Sequence, residues 1–248
     1  MINDRDTFCS PVRPGCRQFF NVVIYRMPRI LAGEKLALSW PGSYCPACKH
    51  KIKVYHNIPL FGWLWLKGRC AHCQQPISRR YPLVELLTAV LFTLVIARDG
   101  ITLQSLSDLL IFSLLIPLFF IDLDSMLLPD RLTLLVLVYA LLLAGLGEGH
   151  TDFSDAVAAA ALGFGLPWLL DRFYVWRHGR EGMGMGDMKL FAGIGAWLGC
   201  QALLHIMVLA SLSAIVVVLV LRRKKRYEPF AFGPYVIVAA LILYFAVT

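Results

Sequence analysis

The sequence predicts an all-α polytopic membrane protein of about seven transmembrane helices, with a small cytoplasmic zinc-ribbon-like domain ahead of them. Three observations predict it. Apolar residues make up 58% of the 248-residue chain and charged residues only 16%, against about 45–50% and about 25% in ordinary soluble domains. The apolar residues gather into successive runs from Pro82 onward, and two Cys-x-x-C pairs precede them. With a mean hydropathy of +0.65, the chain cannot cover its exterior with polar groups, and intrinsic disorder is excluded for the same reason. Seven cysteines are too few for a disulfide scaffold.

The front is set apart by charge. Residues 1–81 hold thirteen Lys/Arg and three Asp/Glu, and residues 82–248 hold eleven and thirteen. The chain therefore divides near Arg80–Pro82 into a basic, polar front and a membrane-embedded remainder. Met1 to Gln18 has no apolar stretch of the secretory kind.

Seven apolar runs follow, roughly 82–97, 107–121, 132–146, 156–173, 188–199, 203–221 and 230–247. A bilayer core takes about 20 helical residues, and several runs are shorter. Any one short run fits a buried soluble helix, but seven in succession point to a polytopic membrane protein. The fifth run carries Gly193, Gly195 and Gly199, which suits close helix packing better than lipid contact. With residues 1–81 in the cytoplasm and the spans alternating, the cytoplasmic loops are 122–131, 174–187 and 222–229. All Lys/Arg but Arg98 then fall on one side, as the positive-inside rule requires. The run Arg222–Arg226 directly follows a span and reads as an anchor on anionic lipid, not as a nucleic-acid patch.

In the front, Cys45-Pro-Ala-Cys48 and Cys70-Ala-His-Cys73 are separated by 21 residues. Zinc takes four ligands in a tetrahedron, and each Cys-x-x-C turn supplies two thiolates from one tight loop. The competing reading, redox pairs or disulfides, is disfavoured by a cytoplasmic position. A site closed by four thiolates is structural rather than catalytic. His50 and His72 are read as exposed neighbours, and Cys9, Cys16 and Cys200 receive no role.

In the membrane part, two acidic clusters fall on the same predicted face. One is Asp122, Asp124 and Asp130 at the end of the second span; the other is Glu181-Gly-Met-Gly-Met-Gly-Asp187-Met-Lys189 at the start of the fifth. Two facing carboxyls can share a proton, one serving as acid and the other as base, and so activate water against a peptide carbonyl. Gly182, Gly184 and Gly186 would permit unusual backbone angles and close approach of a substrate backbone. Pro129 would hold Asp122–Asp130 as an interfacial loop. Helix capping by Asp130 and Asp187, with tight glycine packing, accounts for the same residues equally well on these grounds alone.

With these motifs in this order, the chain resembles the type IV prepilin peptidases, membrane aspartic proteases of the Gly-x-Gly-Asp kind. The resemblance runs from about Asn21 to Tyr244. It includes Asn21 to Pro28, both cysteine pairs, Asn57 to Leu60, Ser78 to Glu85, Asp122 to Asp130, Gly182 to Lys189 and Phe232 to Tyr235. It implies catalytic roles for Asp122 and Asp187, supporting roles for Asp124 and Asp130, and zinc ligation by Cys45, Cys48, Cys70 and Cys73. Substrate-binding or supporting roles are expected besides of Glu181, an acid beside the likely site, and of Gly184, Gly186 and Lys189 around Asp187. The expected activity is removal of the basic leader from prepilins or type II secretion pseudopilins at the cytoplasmic face of the bacterial inner membrane. Methylation of the new N-terminus from S-adenosylmethionine is also expected, alongside pilus or secretion assembly machinery. Members usually open with a membrane helix running into Gly-Ser-Phe-Leu-Asn-Val-Val. Here Arg17-Gln18-Phe19-Phe20 precedes Asn21, so residues 1–20 form an atypical segment and the usual first helix is expected to be lost or replaced. The domains expected are then 1–20, a four-cysteine domain over 21–81 and a membrane peptidase domain over 82–248.

Two readings of other classes compete: a proton or metal-ion transporter, and a non-catalytic zinc-ribbon membrane scaffold. A transporter predicts acids spread along the spans. Here they gather at one interface, apart from Glu85 and the span-end acids Asp108 and Asp171. A scaffold has no need of Asp122 and Asp187.

Overall fold

In a computed structural model of the chain, the described residues are 19–34, 45, 47–48, 50, 61–221 and 230–247. Residues 1–18, the stretch Asn57–Leu60 and the basic run Arg222–Arg226 lie outside them. Among the described residues there are eight helices: α1 (Phe19–Leu31), α2 (Phe61–Trp65), α3 (Arg80–Asp99), α4 (Leu103–Ser125), α5 (Asp130–Leu146), α6 (Phe153–His178), α7 (Met185–Leu221) and α8 (Gly233–Val247). The residues cluster into two compact units, Met1–Arg98 and Asp99–Thr248.

The first unit holds α1 to α3. Helix α1 was not expected. It buries Val23, Ile24 and Met27 along one stripe, with Asn21 and Arg26, and Arg29 stacks on the Tyr25 ring 3.8 Å away. Helix α3 leaves Leu83, Leu86, Leu87, Val90 and Leu94 exposed, an outer surface that suits lipid and not water.

The second unit is built around α7, which packs on α5, α6 and α8, while α4 packs on α5 and α8. Every residue from Leu190 to Gly199 is buried; this run is apolar on all sides because it is the central rod. Its small residues set the spacing. A Cβ at Gly195 would lie 2.8 Å from the carbonyl oxygen of Ala159 on α6, and one at Gly193 would lie 3.0 Å from Val136 on α5. Helices this close bring small residues into contact, as in membrane bundles.

The fifth and sixth runs are not parted by a loop over 200–202. They meet at one residue, Gly199, whose φ of 84° and ψ of 173° break the helix. Glycine alone takes such angles freely. Asp155 then accepts the freed N–H of Cys200 at 3.2 Å, capping the second half of α7.

The predicted loop over 122–131 is also shorter than expected. Asp122 and Asp124 lie in the last turns of α4, and only Met126–Pro129 leaves the helical path. The left-handed Met126 (φ 52°) closes α4 by donating its N–H to the Asp122 carbonyl, and Pro129 stands at the start of α5. Likewise α6 runs on to His178, so residues 179–184 are all that join it to α7.

Among the described residues four helices, α3, α4, α6 and α7, are long and apolar enough to cross a bilayer, and α8 is a shorter apolar helix. The protein is a multi-pass membrane protein.

Candidate functional site

The first unit carries the cysteine cluster. The second pair is set on a tight turn. Cys70 donates its N–H to the Gln75 carbonyl at 2.9 Å, Gln74 donates back to Cys70 at 3.0 Å, and Ile77 donates to Gly68 at 2.7 Å. Arg69 and Pro76 form an isolated antiparallel bridge across it. In the first pair, Cys45 donates its N–H to the His50 carbonyl at 2.9 Å. The sulfurs of Cys45, Cys48, Cys70 and Cys73 all lie within 4.8 Å of one another, and those of Cys45 and Cys73 are 3.6 Å apart. A tetrahedron with arms of about 2.3 Å needs sulfurs about 3.8 Å apart, so the cluster fits a zinc ion. His50 and His72 stack on each other, with ring centroids 4.4 Å apart, and stand outside the ligand set.

The thiols respond to this crowding. Burial pushes Cys45 up, but the backbone N–H groups of Cys48 and Ala47 and the Cys48 and Cys70 thiols outweigh it and bring Cys45 to about 7. The Gln75 N–H draws Cys73 down, but burial and its three thiol neighbours push it up to about 12. Four thiolates this close repel one another, and a divalent cation relieves that repulsion.

The second unit carries the carboxylates at one end. Asp122, near the end of α4, is 4% exposed, and its Oδ2 accepts the N–H of Gly233 at 2.9 Å, at the start of α8. Asp187, in the first turn of α7, is half-buried. Its Oδ1 is buried and has no hydrogen-bond partner among the described residues. Leu128 lies against both Gly186, next to Asp187, and Gly233, which bonds Asp122, so the end of α4 and the starts of α7 and α8 converge on one place.

Of the expected roles of the glycines, unusual backbone angles are not found, and the tight packing weighed against them is found at two of the three. None of Gly182, Gly184 and Gly186 has a positive φ. They leave room instead. A Cβ at Gly186 would lie 2.7 Å from Leu128 Cβ, and one at Gly182 would lie 3.0 Å from the Tyr174 ring. Gly184 is exposed, and its side-chain position lies 3.5 Å from Asp187 Oδ2, leaving that oxygen open from the loop side. Gly233 is under the same constraint, since a Cβ there would lie 2.8 Å from Asp122 Oδ2.

Of the other predicted residues, Lys189 pairs with Asp130, Nζ to Oδ1 at 2.7 Å, joining the starts of α5 and α7. Asp124 lies exposed on the last turn of α4, and Glu181 lies exposed in the loop before α7.

Sequence reasoning missed Asp171. It is not a solvated span-end acid: it is 6% exposed. Its Oδ1 accepts the N–H groups of Gly182 and Met183 at 2.8 and 3.1 Å, and Arg172 Nη2 lies 3.3 Å from its Oδ2. One carboxylate on α6 thus holds the loop that delivers Asp187. The signal was an acid inside an apolar run just before the glycine loop. The Gly233 N–H was likewise missed, although Phe232-Gly233-Pro234 stood at the head of a span. As a whole, the arrangement can bind a water or a polar backbone group between two carboxyls, one of them with an unmet acceptor.

The model of the Type IV leader peptidase family matches residues 109–219, and that of the Bacterial Peptidase A24 N-terminal domain matches residues 15–98. The chain is similar to a prepilin leader peptidase/N-methyltransferase of Aeromonas hydrophila, 44% identical over 246 residues covering 90% of this chain and 84% of that relative. A protein of the same name from Neisseria gonorrhoeae is 40% identical over 247 residues, covering 92% and 86%. One from Klebsiella pneumoniae is 45% identical over 201 residues, covering 79% and 86%. No solved structure gives a significant match.

Proposed function

The chain belongs to the type IV leader peptidase family, and from that premise we propose that it is an aspartic endopeptidase working through Asp122 and Asp187. Its substrates are type IV prepilins or type II secretion pseudopilins, cut at the cytoplasmic face of the bacterial inner membrane. The observation that carries the dyad is the buried Asp187 Oδ1 with no partner among the described residues, at a helix start that shares Leu128 with the Gly233 bonded to Asp122. Leaving such an oxygen unpaired costs about 1–3 kcal/mol, a cost that a bound water or scissile peptide would remove.

Two facing carboxyls can hold one proton between them. The ionised member takes a proton from a water, whose oxygen attacks the scissile carbonyl carbon. The protonated member hydrogen-bonds the carbonyl oxygen and gives its proton to it. The tetrahedral intermediate then collapses: the leaving amine takes a proton from one carboxyl as the C–N bond breaks, and a hydroxyl of the intermediate returns its proton to the other, restoring the carbonyl and the starting pair. The two roles belong to the pair and not to either residue. Gly233 fixes the Asp122 carboxylate, Asp171 fixes the glycine loop, and exposed Gly184 leaves room for an extended substrate backbone. The leader's basic residues would wait at the interface near Glu181, Asp124 and Asp130, the last of which also pairs with Lys189.

Zinc, held by Cys45, Cys48, Cys70 and Cys73, would tie the two turns together and take no part in cleavage. Methylation of the new N-terminus would draw on S-adenosylmethionine as a co-substrate, to which no residue is assigned.

Co-expression with a prepilin, read by mass spectrometry for leader loss and for the methyl group, tests the reaction. Leader loss with wild type, and none with Asp187→Ala at equal membrane levels, is expected. An unprocessed prepilin beside the wild-type chain would overturn the reading.

A further inference from the structure

The end of the second unit away from the carboxylate pair holds another buried acid that the cleavage chemistry does not use. Asp108, in the second turn of α4, is 2% exposed. Its Oδ1 accepts Trp197 Nε1–H from α7 at 2.9 Å, and its Oδ2 accepts the Tyr244 hydroxyl from α8 at 2.9 Å. His150, in the turn between α5 and α6, places Nε2 at 2.8 Å from Oδ1. Its Nδ1 faces the Gln104 side-chain amide at 3.0 Å. Trp197 and Tyr244 stack at 5.2 Å, and Phe112 packs edge-on against both.

The three helices tied here are the ones that carry the two carboxyls and Gly233. Helix α4 carries Asp108 and Asp122, α7 carries Trp197 and Asp187, and α8 carries Tyr244 and Gly233. At about 1.5 Å of rise per residue, the two members lie about 21, 15 and 17 Å apart along their helices. Apolar helices in lipid have little to fix their register, since sliding exchanges one apolar contact for another. A fully bonded buried carboxylate has one good position, and moving any helix by a fraction of an ångström breaks a bond it cannot replace in lipid.

We infer that Asp108, with Trp197 and Tyr244, forms a distal polar knot that sets the register of α4, α7 and α8, and so positions Asp122, Asp187 and Gly233 for cleavage. Asp108 is a positioning residue, and the inference rests on the dyad reading above. A displacement of about 1 Å at reacting groups can cost on the order of 100-fold in rate. Removing the knot should therefore act on kcat, while the exposed surface that receives the leader keeps KM.

The test is steady-state cleavage of a prepilin by the purified full-length chain in proteoliposomes, with Asp108→Leu, Asp108→Asn, Trp197→Phe and Tyr244→Phe. Tyr244→Phe keeps the ring and loses the hydroxyl that reaches Asp108 and, at 3.2 Å, Asp99. Trp197→Phe keeps an aromatic group, loses the indole N–H to Asp108 and is smaller. Asp108→Leu is expected to lower kcat on the order of 100-fold and each Phe variant about tenfold, with KM within about twofold of wild type. Asp108→Asn, which keeps a carbonyl acceptor, should recover most of the loss. A kcat for Asp108→Leu within about twofold of wild type would overturn the inference. So would Phe variants whose activity falls only in proportion to the amount of inserted protein, since the knot would then serve folding alone. Failure of the underlying reading looks different, because wild type itself would leave the leader uncut.

Discussion

The cysteine cluster and the carboxylate pair are built on opposite plans. Four thiols come from two short turns, lie within 4.8 Å of one another and leave no place for a fifth ligand. The carboxyls come from the end of one long helix and the start of another, are steadied by groups on two further helices, and leave one buried oxygen unmet. A closed set of equal ligands suits a structural ion. An open, unequal set leaves room for a substrate. The lesson is that satisfaction, rather than burial, separates the structural site from the reactive one.

That contrast can be broken at four points. The largest effect is expected at the open site: Asp122→Ala or Asp187→Ala should each lower cleavage by at least about 10²–10⁴-fold, measured as leader release from prepilin, with membrane levels unchanged. Next comes Asp171→Ala, which frees the glycine loop. We expect kcat to fall about 10- to 100-fold with KM little changed, and Asp171→Asn, which keeps an acceptor for Gly182 and Met183, to recover most of it.

At the closed site, Cys45→Ser with Cys48→Ser should take bound zinc, measured by metal analysis, from about one per chain to none. Cleavage should fall less than methylation, since the cysteine turns lie outside the dyad. Equal and complete loss of both activities, with the membrane unit still folded, would erase the distinction between the two plans. The smallest effect is at Glu181. An exposed pair contributes about 0–1 kcal/mol, so Glu181→Gln should raise KM a few-fold and leave kcat nearly unchanged. The penalty should shrink at high salt and vanish on a leader stripped of its basic residues.

The same contrast explains what could be read from sequence. The cysteine site was legible because all its ligands follow one local spacing. The apolar runs gave every helix of the second unit, and Gly193 and Gly195 were rightly read as packing residues. Gly199 was read as one more, but the break it makes depends on Asp155 receiving the freed N–H, a contact from another helix. Helix α1 escaped because its stripe is short and interrupted by Asn21, Arg26 and Pro28, polar groups that only tertiary partners make tolerable. Asp171 and Asp108 were set aside as span-end acids because hydropathy cannot tell a carboxylate facing water from one receiving backbone or indole N–H groups inside the bundle. For the Gly182–Gly186 stretch, backbone freedom, substrate approach and tight packing were all open from sequence; the crowding of Tyr174 and Leu128 is what excludes side chains at Gly182 and Gly186.

The claim on which the account rests is that Asp122 and Asp187 act as one unit, and a double-mutant cycle tests it most directly. Purified wild type, Asp122→Asn, Asp187→Asn and the double variant would be compared for leader cleavage of one prepilin in proteoliposomes, each checked for insertion and monodispersity. Groups that act together are not additive, so removing the second costs little once the first is gone. The account predicts that each single variant loses nearly as much activity as the double. Losses that multiply, or an Asp187→Asn enzyme that cleaves at a near-normal rate, would contradict it.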